Sequence, residues 1–217
     1  QPALSAVAEG CARDIPLIVG TNRDENEFGA ALAGSRPPDF DDERLLRRVA
    51  RVLGRRHGER AAALIDVYRR SRKERELPHE NRDILSAITT DRTQRIPAIR
   101  LAEAQRMHQA RSYNYLFCWE QPQLKASIHG LEIGFVFGHV GKGRDPLMQS
   151  TGEAAQQLSQ QMLAAWTGFA RRGDPSLPEL AWEPYHSPRR ATMVYDTPSA
   201  LVDAPFETER AAWDGIA

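Results

Sequence analysis

Two short stretches of the sequence hold side chains that could work together as a base and the acid that orients it. The stretch from Ser127 to Gly138 places His129 directly before a glycine. The stretch from Ile15 to Gly29 runs from apolar residues into three close carboxylates, those of Asp24, Glu25 and Glu27. A histidine can take the proton of a hydroxyl, while a carboxylate holds the imidazole in one tautomer and stabilises its cation. These residue types indicate nucleophilic catalysis by a hydroxyl.

The residues alone leave two parts of this chemistry open. They do not decide which of the three carboxylates would face the histidine. The chain also contains no Gly-x-Ser-x-Gly sequence and no Gly-Gly pair, which in serine hydrolases place the nucleophile and the oxyanion donors. A hydroxyl nucleophile and its oxyanion donors would then have to come from outside this chain, and its start at Gln1 rather than Met suggests that residues upstream are missing.

Two predicted strands would position the acid and the base. The apolar run from Ile15 to Val19, ended by Gly20, is typical of a strand covered on both faces. The aromatic alternation from Tyr113 to Trp119 predicts a second strand, which leads toward His129. Parallel strands present their carboxyl ends at one edge of a sheet, so we expect the two functional segments to meet there.

Helices are predicted for most of the sequence between residues 37 and 110. Pro37 and Pro38 open a tract with acids at its start and arginines beyond. Its buried face is predicted to hold Leu45, Leu46, Val49 and Leu53. The seven arginines between Arg44 and Arg60 suit a solvated helix face, with an anion-binding stripe as the alternative. Pro97 would kink a later helix, over Asp91 to Ala110, or mark its first turn.

A further helix is predicted to run to about Arg171. Ser150 and Glu153 have the spacing of a capping box at its start, and Gly173 would close it. Its apolar stripe is assigned to packing only, and consists of Leu158, Met162, Ala165, Trp166 and Phe169.

Composition excludes several kinds of partner and cofactor. The 217 residues carry 29 basic and 29 acidic side chains, so no net field would attract nucleic acid. No apolar run is long enough to cross a membrane, and we expect a soluble chain, with the cytoplasm favoured. Cys11 and Cys118 lack metal or redox spacing and are expected to be ordinary thiols, although a bridge between them stays open. We expect no metal and no cofactor.

Two motifs resemble those of the type-B carboxylesterase and cholinesterase family. The segment from Asn22 to Phe28 resembles the family's Asn-x-Asp-Glu-Gly pattern, with Asn26 where glycine is usual; asparagine tolerates a left-handed backbone. The segment from His129 to Gly138 resembles its His-Gly-x-Glu motif with a Phe-Gly close. Weaker likenesses extend the resemblance from about Ile15 to Trp213, including Asp91 to Pro97 and Trp166 to Pro175.

The resemblance implies a fold, a pair of catalytic residues and their support. The fold class would be α/β, the carboxyl-terminal part of an α/β-hydrolase, with residues 1–217 as one portion of that domain and a helical insertion at about 37–110. Glu25 would be the triad acid and His129 the base. Asp24 and Glu132 would support this pair without reacting. The other histidines are expected to be ordinary hydrogen-bonded residues, namely His57, His79, His108, His139 and His186.

Two functions of different classes follow from the resemblance. The chain could supply the acid and histidine of a carboxylic-ester hydrolase, with the amino-terminal half of the same protein as its partner. It would then be inactive alone, and its bare sheet edge could lead to self-association. Alternatively, it could be a non-catalytic cholinesterase-like binding or adhesion module. Retention of both Glu25 and His129 favours the hydrolase.

Overall fold

A computed structural model describes residues 2–142 and 150–216, which form two compact units. The first unit contains the chain up to Glu25 and the segment from Ala98 to Pro205. The second contains the segment from Asn26 to Pro97 and the chain from Phe206 onward. The described helices are α1 (Ala3–Ala8), α2 (Phe28–Leu32), α3 (Asp42–Leu53), α4 (Ala61–Glu74), α5 (Asn81–Thr90), α6 (Ile96–Arg106), α7 (Leu131–Val136), α8 (Glu153–Arg172) and α9 (Glu207–Ala211).

The first unit is built on a four-stranded sheet in the order β1-β2-β3-β4. Its strands are β1 (Leu17–Asn22), β2 (Ser112–Phe117), β3 (Ala191–Tyr195) and β4 (Ala200–Asp203). The first three strands are parallel, and β4 runs antiparallel to β3. In the register of β1 and β2, Asn22 lies opposite Phe117, so both strands end at the same edge of the sheet.

Strand β1 differs from its sequence prediction in position and in burial. It begins at Leu17, and Ile15 before it is 62% exposed. Its first four residues are half-buried because β1 is an edge strand, which within residues 2–142 and 150–216 pairs only with β2. Gly20 lies inside the strand, where a Cβ would collide with the Tyr115 carbonyl and ring. The glycine therefore permits close strand contact and does not end the strand.

Aromatic side chains form much of the core behind the sheet. Trp182 contacts Tyr113, Trp166 and Tyr195 with ring centroids 5.7–5.9 Å apart. Leu158, Met162 and Ala165 on α8 are buried as predicted. The predicted capping box is wrong, because α8 begins at Glu153 with Gly152 at its N-cap.

The second unit consists of helices. Asp41 caps α3 by accepting a hydrogen bond from the Arg44 backbone N–H at 2.7 Å. Leu45, Val49 and Leu53 form the buried face of α3, whereas Leu46 is exposed, contrary to the prediction. All seven arginines between Arg44 and Arg60 are exposed, as expected for a solvated face.

Buried polar side chains join α4, the turn after α5 and the last helix inside this unit. Residues Asp91–Arg95 form a π-helical turn ahead of Pro97, a local irregularity of the kind that proline induces. Arg95 donates two hydrogen bonds to Asp91, at 2.5 and 2.6 Å, and a third to Glu209 at 3.3 Å. Tyr68 also donates to Asp91 and accepts a hydrogen bond from the Trp213 indole at 2.7 Å.

The two cysteines are free thiols in different environments. Cys11 is exposed, Cys118 is buried, and no disulfide joins them.

Within residues 2–142 and 150–216, no cluster of three or more histidine, cysteine or acidic side chains could hold a metal ion. No helix of these residues has the length and apolar character needed to cross a bilayer.

Candidate active site

The structure brings Glu25 and His129 into direct contact at the carboxyl end of the sheet. The His129 Nδ1 atom lies 2.6 Å from Glu25 Oε2, although the two residues are 104 positions apart in the sequence. Glu25 begins a short 3₁₀ turn just after β1, and His129 lies in the loop between β2 and α7. The parallel pairing of β1 and β2 therefore aligns the two loops that carry these side chains.

The backbone next to His129 needs a glycine. Gly130 is the N-cap of α7 and has a left-handed conformation, with φ of 78°. Residues with a Cβ adopt this conformation only at a cost in free energy. The glycine lets the chain reverse immediately after His129 and enter α7.

The pair has a largely buried acid and an accessible base. The Glu25 side chain is 10% exposed and that of His129 is 59% exposed. The second carboxylate oxygen of Glu25 accepts a hydrogen bond from the Asn22 backbone N–H at 2.8 Å. With Nδ1 directed at the carboxylate, the neutral imidazole carries its proton on Nδ1, and Nε2 is the atom able to accept a proton from a substrate or nucleophile.

Asp24 forms hydrogen bonds between the loop that carries Glu25 and the loop that carries His129. Its backbone N–H donates to the Ser127 carbonyl at 3.0 Å, and its carboxylate accepts from the Ser127 N–H at 3.0 Å. Arg23 donates to the Asp24 carboxylate at 2.9 Å and to Glu120 at 2.7 Å. Asp24 therefore holds the backbone two residues before His129.

Glu132 lies beside the pair and contacts it through Asn22. The Asn22 side-chain amide donates to Glu132 Oε2 at 2.6 Å. Burial raises the pKa of Glu132, and the hydrogen bond from Asn22 opposes that shift. Burial together with the nearby Glu132 and Glu25 carboxylates also raises the pKa of Tyr115 well above its ordinary value.

Sequence reasoning missed the contribution of three residues to this site. Sequence patterns do not distinguish Asn22, Arg23 and Ser127 from ordinary loop residues. Ser127 is fully buried, and its hydroxyl donates to the Phe117 carbonyl at 2.8 Å, so it supports the loop. Their hydrogen-bond partners across the site lie about 100 positions away in the sequence. The only signal in the sequence was that these polar residues stand at the ends of the two motifs.

Asn26 and two of the other histidines, His79 and His108, make ordinary structural contacts. Asn26 lies in the 3₁₀ turn Glu25–Glu27 and is not among the residues with positive φ, so this turn does not use the left-handed conformation that asparagine tolerates. His79 and His108 each contact a backbone carbonyl, at 3.1 and 2.8 Å.

Comparison with known proteins assigns the family. The model of the carboxylesterase family matches residues 2–213. This chain belongs to the carboxylesterase family. It is 33% identical over 211 residues to para-nitrobenzyl esterase of Bacillus subtilis, an alignment that covers 94% of this chain and 39% of the relative. It is 28% identical to human bile salt-activated lipase over 80% of this chain and 25% of the lipase.

Solved structures confirm the predicted fold class. Carboxylesterase EST55 of Geobacillus stearothermophilus is similar with a TM-score of 0.75 and 28% identity, covering 97% of this chain and 42% of that one. A para-nitrobenzyl esterase structure has a TM-score of 0.73 over 96% of this chain and 40% of its own. The fold is therefore part of an α/β-hydrolase. This member of the family spans about two fifths of the length of these esterases.

Proposed function

We propose that this chain supplies the acid and the base of a Ser-Glu-His triad in a carboxylic-ester hydrolase. The observation that carries the proposal is the 2.6 Å contact between His129 Nδ1 and Glu25 Oε2. A buried carboxylate that faces one imidazole nitrogen, while the ring stays accessible, is the arrangement needed to activate a hydroxyl. Membership of the carboxylesterase family supports an ester as the substrate.

In the proposed reaction, His129 Nε2 takes the proton of a serine hydroxyl as that oxygen attacks the ester carbonyl. Glu25 stabilises the imidazolium that forms. The proton then passes to the leaving alcohol, and water hydrolyses the acyl-enzyme by the same route. Asp24 and Glu132 support the pair without touching the substrate.

The nucleophile and its partner strand are proposed to come from the amino-terminal half of the same protein. Among the described residues, strand β1 pairs on one side only, and its apolar residues Leu17, Ile18 and Val19 are half-buried. A parallel edge strand of this composition suits a neighbouring strand on its open side. That neighbour would bring the serine to the end of the sheet where His129 lies. Without it, the chain would be inactive and could self-associate through β1.

The test is hydrolysis of p-nitrophenyl acetate by this chain together with the polypeptide encoded upstream of it. Glu25→Gln should lower kcat by about 10⁴-fold, the effect of removing the carboxylate charge from a comparable triad. Glu27→Gln is the matched control, because Glu27 is a carboxylate of the same turn that does not carry the proposed role, and it should retain activity.

The opposite result would favour the other class of function. If the joined chains fold but hydrolyse no ester, or if Glu25→Gln leaves the rate unchanged, the triad assignment is wrong. An upstream segment without a nucleophile at the serine position would then indicate a binding module.

A further inference from the structure

Asn22 forms hydrogen bonds to three parts of the candidate site at once. Its backbone N–H donates to Glu25 at 2.8 Å. Its side-chain amide donates to the Ile128 carbonyl at 2.6 Å and to Glu132 at 2.6 Å. Every N–H of the residue is therefore used, and each bond reaches a group next to or inside the Glu25–His129 pair.

The environment of Asn22 fixes the orientation of its amide. The residue is fully buried, and two oxygen acceptors lie against the Nδ2 atom. A flipped amide would place Oδ1 against both of them, which would lose two hydrogen bonds and add repulsion. The Oδ1 atom has no hydrogen-bond partner among the described residues, so among these residues the Asn22 side chain acts as a donor only.

We propose that Asn22 is a positioning residue that sets the distance and direction of the His129 imidazole relative to Glu25. The Ile128 carbonyl belongs to the peptide that leads into His129, so its bond to Asn22 fixes the start of that residue's backbone. The backbone N–H of the same residue fixes Glu25. The bond to Glu132 also holds the other nearby carboxylate on the amide and away from the imidazole. This inference deepens the proposed function, because such positioning affects catalysis only if the triad assignment is right.

A substitution at Asn22 can remove the hydrogen bonds on the His129 side and keep the one to Glu25. Asn22→Asp has nearly the same shape and keeps the backbone N–H that holds Glu25. It replaces the amide donor with an acceptor that faces the Ile128 carbonyl and the Glu132 carboxylate. The variant should therefore release His129 while Glu25 stays in place.

The experiment is ¹⁵N NMR of the histidine ring nitrogens in the full 217-residue chain at neutral pH, with no ester present. The His129 signals are assigned by their loss in His129→Ala. The unmodified chain should show His129 as the Nδ1–H tautomer. In Asn22→Asp the ratio of Nδ1–H to Nε2–H tautomer should fall by about tenfold, as expected when buried donors are removed.

Asn114→Asp is the matched control. Asn114 is also buried and donates to a β1 carbonyl, that of Val19, at 3.1 Å. Asn114 lies opposite Val19 in the pairing of β1 with β2, and Val19 precedes Asn22 by three residues in β1. This variant should lose stability in a similar way but keep the His129 tautomer. A loss of the tautomer in both variants would indicate general loosening and would overturn the positioning role.

Two further measurements decide the question if Asn22→Asp does not fold. Asn22→Leu removes the same donors without burying a charge, and it should lower the tautomer ratio as well. In the unmodified chain, the Asn22 amide protons should exchange with water much more slowly than those of exposed Asn26. An unchanged tautomer in a folded Asn22 variant, or equally fast exchange at the two residues, would refute the proposal. None of these results depends on ester hydrolysis, so they stand or fall separately from the proposed function.

Discussion

At the residue scale, the direction of the His129 side chain depends on backbone geometry as well as on its hydrogen bond. The left-handed Gly130 lies directly after the histidine, and α7 follows it. The Nδ1 contact with Glu25 then leaves Nε2 as the proton acceptor. A side chain at position 130 would shift this reversal of the chain and with it the imidazole.

Gly130→Ala is expected to lower the free energy of unfolding by about 1–2 kcal/mol, the cost of a left-handed alanine. Urea denaturation measures this change. Gly134→Ala is the control, because Gly134 lies inside α7 and a methyl group there would meet only open space. That variant should gain about 0.5–1 kcal/mol, since alanine favours a helix interior. Equal effects of the two substitutions would contradict the assigned role of Gly130.

The two motifs predicted which residues would be near each other, but not how they are held. Glu25 and His129 could be singled out because each stands in a recognisable local pattern. The catalytic roles of these two residues, and the supporting roles of Asp24 and Glu132, remain predictions. Asn22 and Ser127 could not be ranked from the sequence, because their bonds depend on the register between segments about 100 positions apart.

At the scale of elements, the edge strand β1 has the clearest consequence. Its backbone pairs with β2 on one side, and Ile15 before it is largely exposed. Open edges with apolar side chains promote association between chains. The isolated chain should therefore show a mass that rises with concentration in sedimentation velocity.

The double variant Ile15→Lys/Ile18→Lys should reduce that association, because charged side chains protect an edge strand. Leu32→Lys is the matched control. Leu32 is 65% exposed but lies in the second unit, so its replacement should leave the association unchanged. An unmodified chain that stays monomeric at all concentrations would contradict this role of β1. An equal effect of the double variant and of Leu32→Lys would contradict it as well.

The buried cluster of the second unit should make its stability depend on pH. Burial raises the pKa of Glu209 to about 7 from an ordinary value of 4.5, while Arg95 opposes the shift and Asp91 adds to it. The folded unit then binds a proton that the unfolded chain releases between these values. Stability should fall as pH rises from about 4.5 to 7, by no more than about 3 kcal/mol.

Glu209→Gln should flatten this dependence, as measured by thermal unfolding at several pH values. Glu207→Gln is the control, since the Glu207 side chain is 40% exposed and pairs with Arg210 at 3.0 Å. It should leave the slope between pH 4.5 and 7 intact. A slope that survives in Glu209→Gln would assign the proton to another group.

Local patterns predicted the helices better than their ends. The three- and four-residue spacing of Leu45, Val49 and Leu53 identified the buried face of α3 correctly. The capping box at Ser150 failed because α8 has Gly152 as its N-cap, and the Ser150 hydroxyl instead accepts a hydrogen bond from the Trp119 indole at 3.1 Å. A tertiary contact of this kind replaces the local cap and is not visible in the sequence.

At the scale of the whole molecule, the chain has two units and part of a family fold. The sheet edge, the acid and the base lie in the first unit. The predicted helical insertion at about 37–110 overlaps the second unit, and its interpretation as an insertion remains a prediction. The chain spans about two fifths of the esterases that it resembles. The motifs in this part were enough to predict the fold class, but they were not enough to predict a substrate pocket.

The isolated chain should not hydrolyse esters. Loss of the nucleophile from a serine protease costs a factor on the order of 10⁶ in kcat, and the sequence has no Gly-x-Ser-x-Gly. Turnover of p-nitrophenyl acetate by the purified chain should equal that of its His129→Ala variant. A rapid rate that His129→Ala abolishes would show that the chain contains its own nucleophile.

The role of His129 as the base is best tested by the same hydrolysis measured on this chain joined to the amino-terminal half that we propose for it, with His129→Ala compared against His139→Ala. We expect that the joined protein is active, that His129→Ala lowers kcat by about 10⁶-fold, and that His139→Ala changes it little. An active joined protein in which His129→Ala keeps its full rate would show that another group takes the proton.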